Sequence, residues 1–311
     1  MKKQNLLQNN LVVCLLAGVC CFLWGSAFPC IKISYQLFTI SSTDTASQIL
    51  FAGIRFLLAG ILAIIFGSIG RRRIILPGRR AIPHIFLLCL LQTVLQYVLF
   101  YIGLARTAGV KSSIIEAANV FIAIFVSCLF FHQEKITGRK LIGCFIGFLG
   151  VILINLNNGA IDTSVSFFGE GFILLSTIAY AFSSVLLKYF SKEDDPVMLS
   201  GYQFACGGII MIACALPSGG RITSLQPGAL PMLFYLACIS AIAYSIWGIL
   251  LKYNPLSRVA VYGFMNPVFG VILSALWLGE SNQAFGWNAG IALVLVCLGI
   301  FIVNHQKAIK P

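Results

Sequence analysis

Charged side chains are scarce. Only 10% of the 311 residues are Asp, Glu, Lys or Arg, and only nine are acidic, against about 25% charged in a soluble domain. Histidine is rarer still: His84, His132 and His305 are the three in the chain, far apart, at the edges of apolar runs or in the tail. A membrane hydrolase or metalloenzyme needs acids and histidines gathered at one depth, so no catalytic residue, metal or cofactor is expected. No glycine-rich nucleotide-binding loop occurs, which argues against ATP-driven work by this chain alone. The eleven cysteines form no CxxC pair or Cys/His cluster, and most of them lie inside apolar runs, where cysteine acts as a small hydrophobe.

Apolar surface is what the chain has in excess. It is 59% hydrophobic, with a mean hydropathy of +0.96. One globular core of this length cannot absorb that much, so lipid must be the solvent for much of it. The net charge of +12 does not point to nucleic acid: the basic residues sit in short loops between apolar runs, as membrane topology places them, and no basic stripe is interleaved with aromatics in a polar domain. The N-terminal run 11–31 has 21 residues, longer than the roughly 7–15 of a signal peptide, and more such runs follow. It reads as a retained first span.

Runs of about 18 or more mostly apolar residues suggest spanning helices. They fall at 11–31, 48–69, 84–104, 112–131, 138–155, 167–187, 199–216, 229–251, 259–279 and 285–303, ten in all. Lys and Arg then set the orientation. Lys2, Lys3, Arg71, Arg72, Arg73, Arg79, Arg80, Lys135, Arg139, Lys140, Lys188, Lys192, Lys252, Arg258, Lys307 and Lys310 fall on one side, 16 residues; Lys32, Arg106, Lys111 and Arg221 fall on the other, 4 residues. Both termini are therefore expected in the cytoplasm, with the protein multi-pass in the cytoplasmic (inner) membrane.

The halves resemble each other. Trp24 to Lys32 aligns with Tyr180 to Lys188, and Gly53 to Gly60 with Gly201 to Gly208. At a constant offset of 147, Thr93 meets Ser240, Tyr97 meets Tyr244, Phe100 meets Trp247, Asn119 meets Asn266, Ser127 meets Ser274 and Gly143 meets Gly290. Glu134 and Glu280 follow the fourth and ninth runs, and Asn155 and Asn304 close the two halves. Repeats of five spans insert in opposite directions, so the expected fold is all-α integral membrane: ten transmembrane helices in two inverted repeats, residues 1–160 and 161–311, with a site near the midplane where they meet.

The first-span "WGSAFPCIK", the second-span "IRFLLAG", "NPVFGVILSALWLGE", and the glycine-rich "IGCFIGFLGVILIN" and "GIALVLVCLGIFIVN", taken in order, resemble EamA-type transporters of the drug/metabolite transporter superfamily. The resemblance covers nearly the whole chain. It implies a ten-helix carrier, usually an exporter of amino acids, other small metabolites or drugs, with some relatives coupled to proton entry. One departure is that span nine carries Asn266-Pro267 where span four carries Asn119-Val120, so the halves are not expected to serve the site equally.

Glu116 is the acid that lies clearly within a span. Ser112, Glu116, Asn119, Ala123 and Ser127 recur at helical spacing, one face that should turn to the bundle interior or a watery cavity. A carboxylate there holds its proton more tightly and can carry one, although Glu116 lies only about 6 Å in from the span's start by helical rise and could simply stay hydrated. Arg55 lies about 10 Å deep by the same measure and needs a partner, water, a carbonyl, a lipid headgroup or an anionic ligand; Glu116, at comparable depth, is one candidate. Gln92, Thr93, Gln96, Tyr97 and Tyr101 share a broad face of span three, and Ser240, Tyr244 and Trp247 one of span eight. On span nine, Tyr262, Asn266 and Phe269 share another. Aromatics with polar tips suit a small amphipathic solute, but they also form interfacial belts, and the two Asn could bond across helices.

The cavity-lining candidates are Trp24, Gln96, Tyr97, Tyr101, Asn119, Tyr180, Tyr244, Trp247, Tyr262 and Asn266. Glu116 is the proton-coupling candidate and Arg55 the charge-partner candidate. Pro29 faces Val185 in the repeat alignment; it is the gating candidate, because proline removes a backbone bond and can bend a helix in a membrane. GxxxG pairs at Gly143/Gly147 and Gly286/Gly290 read as close helix contacts or a homodimer seam. The expected partners are thus a small-molecule substrate, the lipid bilayer and protons. The function expected is secondary-active export by alternating access. The alternatives are import or exchange, as in sugar-phosphate or nucleotide-sugar carriers, and, from another class, a membrane enzyme or scaffold.

Overall fold

The computed structural model describes residues 6–41, 43–104, 106, 109–155, 166–278 and 287–305. Among them there is no strand. The helical stretches are α1 (Asn10–Leu37), α2 (Thr45–Arg71), α3 (Ala81–Leu104), α4 (109–129), α5 (Gly138–Asn155), α6 (Phe167–Phe190), α7 (Pro196–Ala215), α8 (Ala229–Tyr253), α9 (256–278) and α10 (Trp287–Asn304). Seven of the helices are long and apolar enough to cross a membrane, and shorter apolar helices, Ile114–Leu129 and Gly290–Asn304, accompany them.

Polar caps carry the helices past their apolar runs. Asn9 accepts from Leu11 N at 2.9 Å, and Asp44 accepts from Ser47 N at 3.0 Å, each satisfying a first-turn N–H. The run expected at 199–216 begins three residues earlier as a helix, because Asp195 accepts from the backbone N–H groups of Val197 and Met198 at 2.9 and 3.0 Å and Pro196 takes the first helical position, where its missing N–H costs nothing. Lipid-facing stripes are equally direct: Ile142, Phe145 and Leu149 on α5, and Val294, Leu298 and Phe301 on α10, are exposed at helical spacing.

Several interruptions shape the interior, a 3-10 turn at Val261–Phe264 of α9 among them. In α3 the segment Cys89–Leu95 is a π-helix. In α4, Ala118 separates Gly109–Ala117 from Asn119–Leu129, with its N–H bonded three residues back to Ile115 O at 3.1 Å. α1 by contrast stays helical straight through Pro29, which is buried rather than turned to lipid.

Positions paired by the internal alignment meet crosswise. A Cβ on Gly60 would lie 2.6 Å from Gly201 O, and one on Gly208 would lie 2.6 Å from Gly53 O. Neither position tolerates a side chain without moving backbone, and the two contacts are images of one another. Phe56 and its counterpart Phe204 stack between them, centroids 5.3 Å apart at 25°. Gly143 of α5 similarly abuts α10, where a Cβ would reach Gly299 O at 2.8 Å. The GxxxG expectation is only partly realised. Gly147 also abuts α10, where a Cβ on Gly299 would come 2.7 Å from Gly147 N, and it faces the Phe264 ring as well; Gly290 has open space around it, and Gly286, like Glu280, falls outside the described residues.

The two ends of the described chain lie at one end of the bundle. There Arg258 donates to Gln8 O at 3.0 Å, Arg139 to His305 O at 3.4 Å, and Lys188 to Leu251 O at 3.0 Å. His84 bonds Asp194 at 2.7 Å and Arg71 bonds Asp195. Glu134, between α4 and α5, accepts from Lys140 Nζ at 2.7 Å and Ser257 N at 3.1 Å, and also bonds the Ser257 hydroxyl. These bonds tie α4–α5 to the start of α9.

Candidate functional site

A central cavity of about 160 Å³ opens between the halves, room for on the order of ten waters. On α1, α3, α4 and α6 its lining positions, from Trp24 to Ile31, Gln96 to Phe100, Glu116 to Val120 and Ser176 to Tyr180, lie at mid-helix or towards the end away from the termini. α8 and α9 close its other side with Tyr244, Gly263, Asn266 and Pro267.

Seven of the ten sequence candidates line this cavity: Trp24, Gln96, Tyr97, Asn119, Tyr180, Tyr244 and Asn266, together with Glu116 and Arg55. Three do not. Trp247 lies behind Trp24, ring centroids 5.0 Å apart. Tyr101 is packed beside Phe100. Tyr262 sits in a short 3-10 turn, its carbonyl facing Cys21 Sγ at 3.2 Å. Pro29 is buried in α1 outside the lining.

The face expected on span three is split by the π-helix. Thr93 presses on Gly207, where a Cβ would meet it at 2.5 Å. Thr93 Oγ1 donates to Gln203 Oε1 at 2.9 Å, while Gln203 Nε2 donates to Gln92 Oε1 at 2.8 Å. Gln92 and Thr93 therefore belong to the α3–α7 contact, and only Gln96 and Tyr97 remain for the cavity. The symmetric contact is made by Arg55, the counterpart of Gln203: its Nη2 donates to Ser240 Oγ, counterpart of Thr93, at 2.9 Å. The Arg55–Glu116 ion pair weighed from the sequence is not among the bonds of the described residues. Tyr97 and Tyr244, also counterparts, bond hydroxyl to hydroxyl at 3.2 Å.

Five lining side chains carry a buried polar atom with no protein partner: Trp24 Nε1, Arg55 Nε, Gln96 Oε1, Asn119 Oδ1 and Asn266 Oδ1. Buried polar groups are normally satisfied, so donors and acceptors gathered around one cavity mark where a polar solute or water completes them. Ser176 and Thr177 also line it, and sequence reasoning missed both. The signal was present, since Ser176 stands four residues before Tyr180 on the same helical face.

A multi-pass helical membrane protein with a cavity of unsatisfied polar groups at its centre has the build of a transporter. The chain belongs to the EamA-like transporter family, within the drug/metabolite transporter superfamily: the family model matches residues 11–156 and again 167–305. Among similar proteins are an uncharacterized transporter of Synechocystis, 28% identical over 93% of this chain and 88% of that protein, and the uncharacterized inner membrane transporter YedA of Escherichia coli, 27% identical over 93% and 92%. A WAT1-related chloroplastic protein of Arabidopsis thaliana is 26% identical over 92% of this chain and 68% of its own length. One crystal structure superposes with a TM-score of 0.75 over 93% of this chain and 95% of its own, at 14% identity; it speaks for the fold alone.

Proposed function

We propose that the protein is a secondary-active carrier of small amphipathic metabolites, amino acids or drug-like compounds, with ten spanning helices and both termini in the cytoplasm. Its two inverted five-helix repeats, 1–160 and 161–311, rock about the central cavity. The observation that carries the reading is the gathering of five unpartnered polar atoms and Glu116 on one aromatic-lined cavity at the junction of the halves. The crosswise pairs Gly60–Gly201 with Gly208–Gly53, and Arg55–Ser240 with Gln203–Thr93, support the repeat, because a two-fold relation demands that counterparts exchange partners. The 16-to-4 imbalance of Lys and Arg supports the orientation, since the basic loops belong to the end that holds the termini. In this conformer the terminal end is tied by Glu134, Asp194 and Asp195, and the cavity serves the opposite side.

Export follows family resemblance, and Glu116 is the proposed proton carrier. The test is solute flux in proteoliposomes under an imposed pH gradient. Wild-type flux rises with the gradient, and Glu116→Gln retains counterflow but loses the gradient's effect. Gradient dependence unchanged in Glu116→Gln contradicts proton coupling through this residue.

A further inference from the structure

Arg55 is 4% exposed. Its guanidinium carbon stands 5.3 Å from the centroid of the Phe56 ring, its Nη2 is held by the neutral Ser240 hydroxyl, and its Nε, buried on the wall of the cavity, has no partner. A guanidinium offers five N–H donors. Burying it with a ring and one hydroxyl leaves its positive charge uncompensated, a costly state unless an anion completes it. The counterpart Gln203 shows the satisfied alternative: neutral, bonded to Thr93 and Gln92, and away from the cavity lining.

We propose that Arg55 is the anion-recognition residue of the cavity, with Ser240 as its positioning residue, and that the solutes carried bear a single carboxylate-type charge. The proposal rests on the reading of the cavity as the transport site. Charge fixes the class. Arg55 is the one basic side chain among the described lining residues, and the other charged one is an acid, Glu116. A second negative charge on the solute would be buried against Glu116 with no cation to meet it, which disfavours phosphate esters. The planar fork of a guanidinium matches a carboxylate, and Trp24 Nε1 is a second unpartnered donor on the cavity lining. The acceptors Gln96 Oε1, Asn119 Oδ1 and Asn266 Oδ1 suit donor groups elsewhere on the solute.

The experiment is thermal stabilisation of the purified full chain, in a detergent free of anionic lipid, titrated with matched probes: 3-phenylpropanoate, its amide and 2-phenylethyl phosphate, and L-leucine with L-leucinamide. The acids are expected to bind about tenfold or more tightly than their amides, the scale of one charge-assisted hydrogen bond, and the phosphate more weakly than its carboxylate. Arg55→Gln should abolish the acid preference while changing amide binding by less than about threefold, the scale of a neutral contact. Ser240→Ala, which keeps the charge but frees the guanidinium, should lower the acid-to-amide ratio even if Arg55→Gln does not fold. Equal binding of acid and amide by the wild type, tighter binding of the phosphate, or an acid preference that survives Arg55→Gln overturns the assignment alone. A wild type stabilised by no probe contradicts the cavity reading and takes the assignment with it.

Discussion

Removing the Glu134 carboxylate should loosen the terminal end of the bundle more than any other single truncation there. Glu134 and Lys140 are both almost enclosed, with side chains 9% and 5% exposed, and Ser257 adds two further bonds to the same carboxylate. Glu134→Ala leaves the Lys140 ammonium with Lys135 O at 2.9 Å as its remaining hydrogen bond. Breaking such a pair from one side costs about 3–5 kcal/mol; Glu134→Gln, which keeps an acceptor for Ser257, costs less. Burial alone would raise the carboxyl's pKa, but the hydrogen bonds from Lys140 and Ser257, with the Lys140 charge, outweigh it and hold Glu134 below the usual carboxylate range. A folded value below the unfolded one means that ionised Glu134 adds stability above about pH 4.3, the ordinary Glu value, and that this stability is lost as pH falls through the lower folded value. Unfolding by SDS in mixed micelles, followed by tryptophan fluorescence, measures both effects. The wild type should outlast Glu134→Ala by the stated amount near neutral pH, and the gap should close in acid. Equal stability at neutral pH, or a gap that does not change with acid, refutes the clasp.

Other consequences follow from the same geometry. Gly60→Leu and Gly208→Leu should each destabilise strongly and to a similar extent, since each drives a side chain into the facing backbone; overpacking typically costs about 1–3 kcal/mol, and Gly70→Ala, with open space around it, should be silent in the same unfolding titration. Tyr97→Phe and Tyr244→Phe break one shared hydroxyl bond, so the double variant should cost little more than either single one, by about 1 kcal/mol at most. Trp24→Ala removes a ring packed on both Tyr244 and Trp247 and should lose about 3–5 kcal/mol together with solute-dependent stabilisation.

What the residues disclosed in advance was the periodic part. The apolar run at 199–216 marks α7, although not its start at Asp195-Pro196; the aligned segments 53–60 and 201–208 prove to face each other; and the Ser112–Ser127 stripe announces an inward face on which Glu116 and Asn119 reach the cavity. Less was legible where tertiary contact decides. Nothing local in Cys89–Leu95 breaks an α-helix; the π-helix belongs to a segment whose Thr93 packs on Gly207 and whose Gln92 and Thr93 bond Gln203, more than a hundred residues away. Arg55 turns to Ser240 for the same kind of reason, and depth along separate helices could not distinguish that partner from Glu116. Tyr101, Trp247 and Tyr262 lie outside the lining, because a helical face is wider than the strip a small cavity touches.

The central claim is that solute crosses through the cavity between the halves. Counterflow in proteoliposomes, using the probe that most stabilises the purified protein, tests it most directly with Asn119→Leu and Asn266→Leu, which place apolar bulk in the cavity at symmetry-related positions. Wild-type counterflow is expected, with its near-complete loss in both variants and unfolding profiles close to the wild type. Counterflow by the variants at the wild-type rate, or wild-type liposomes no more active than empty ones, would contradict the claim.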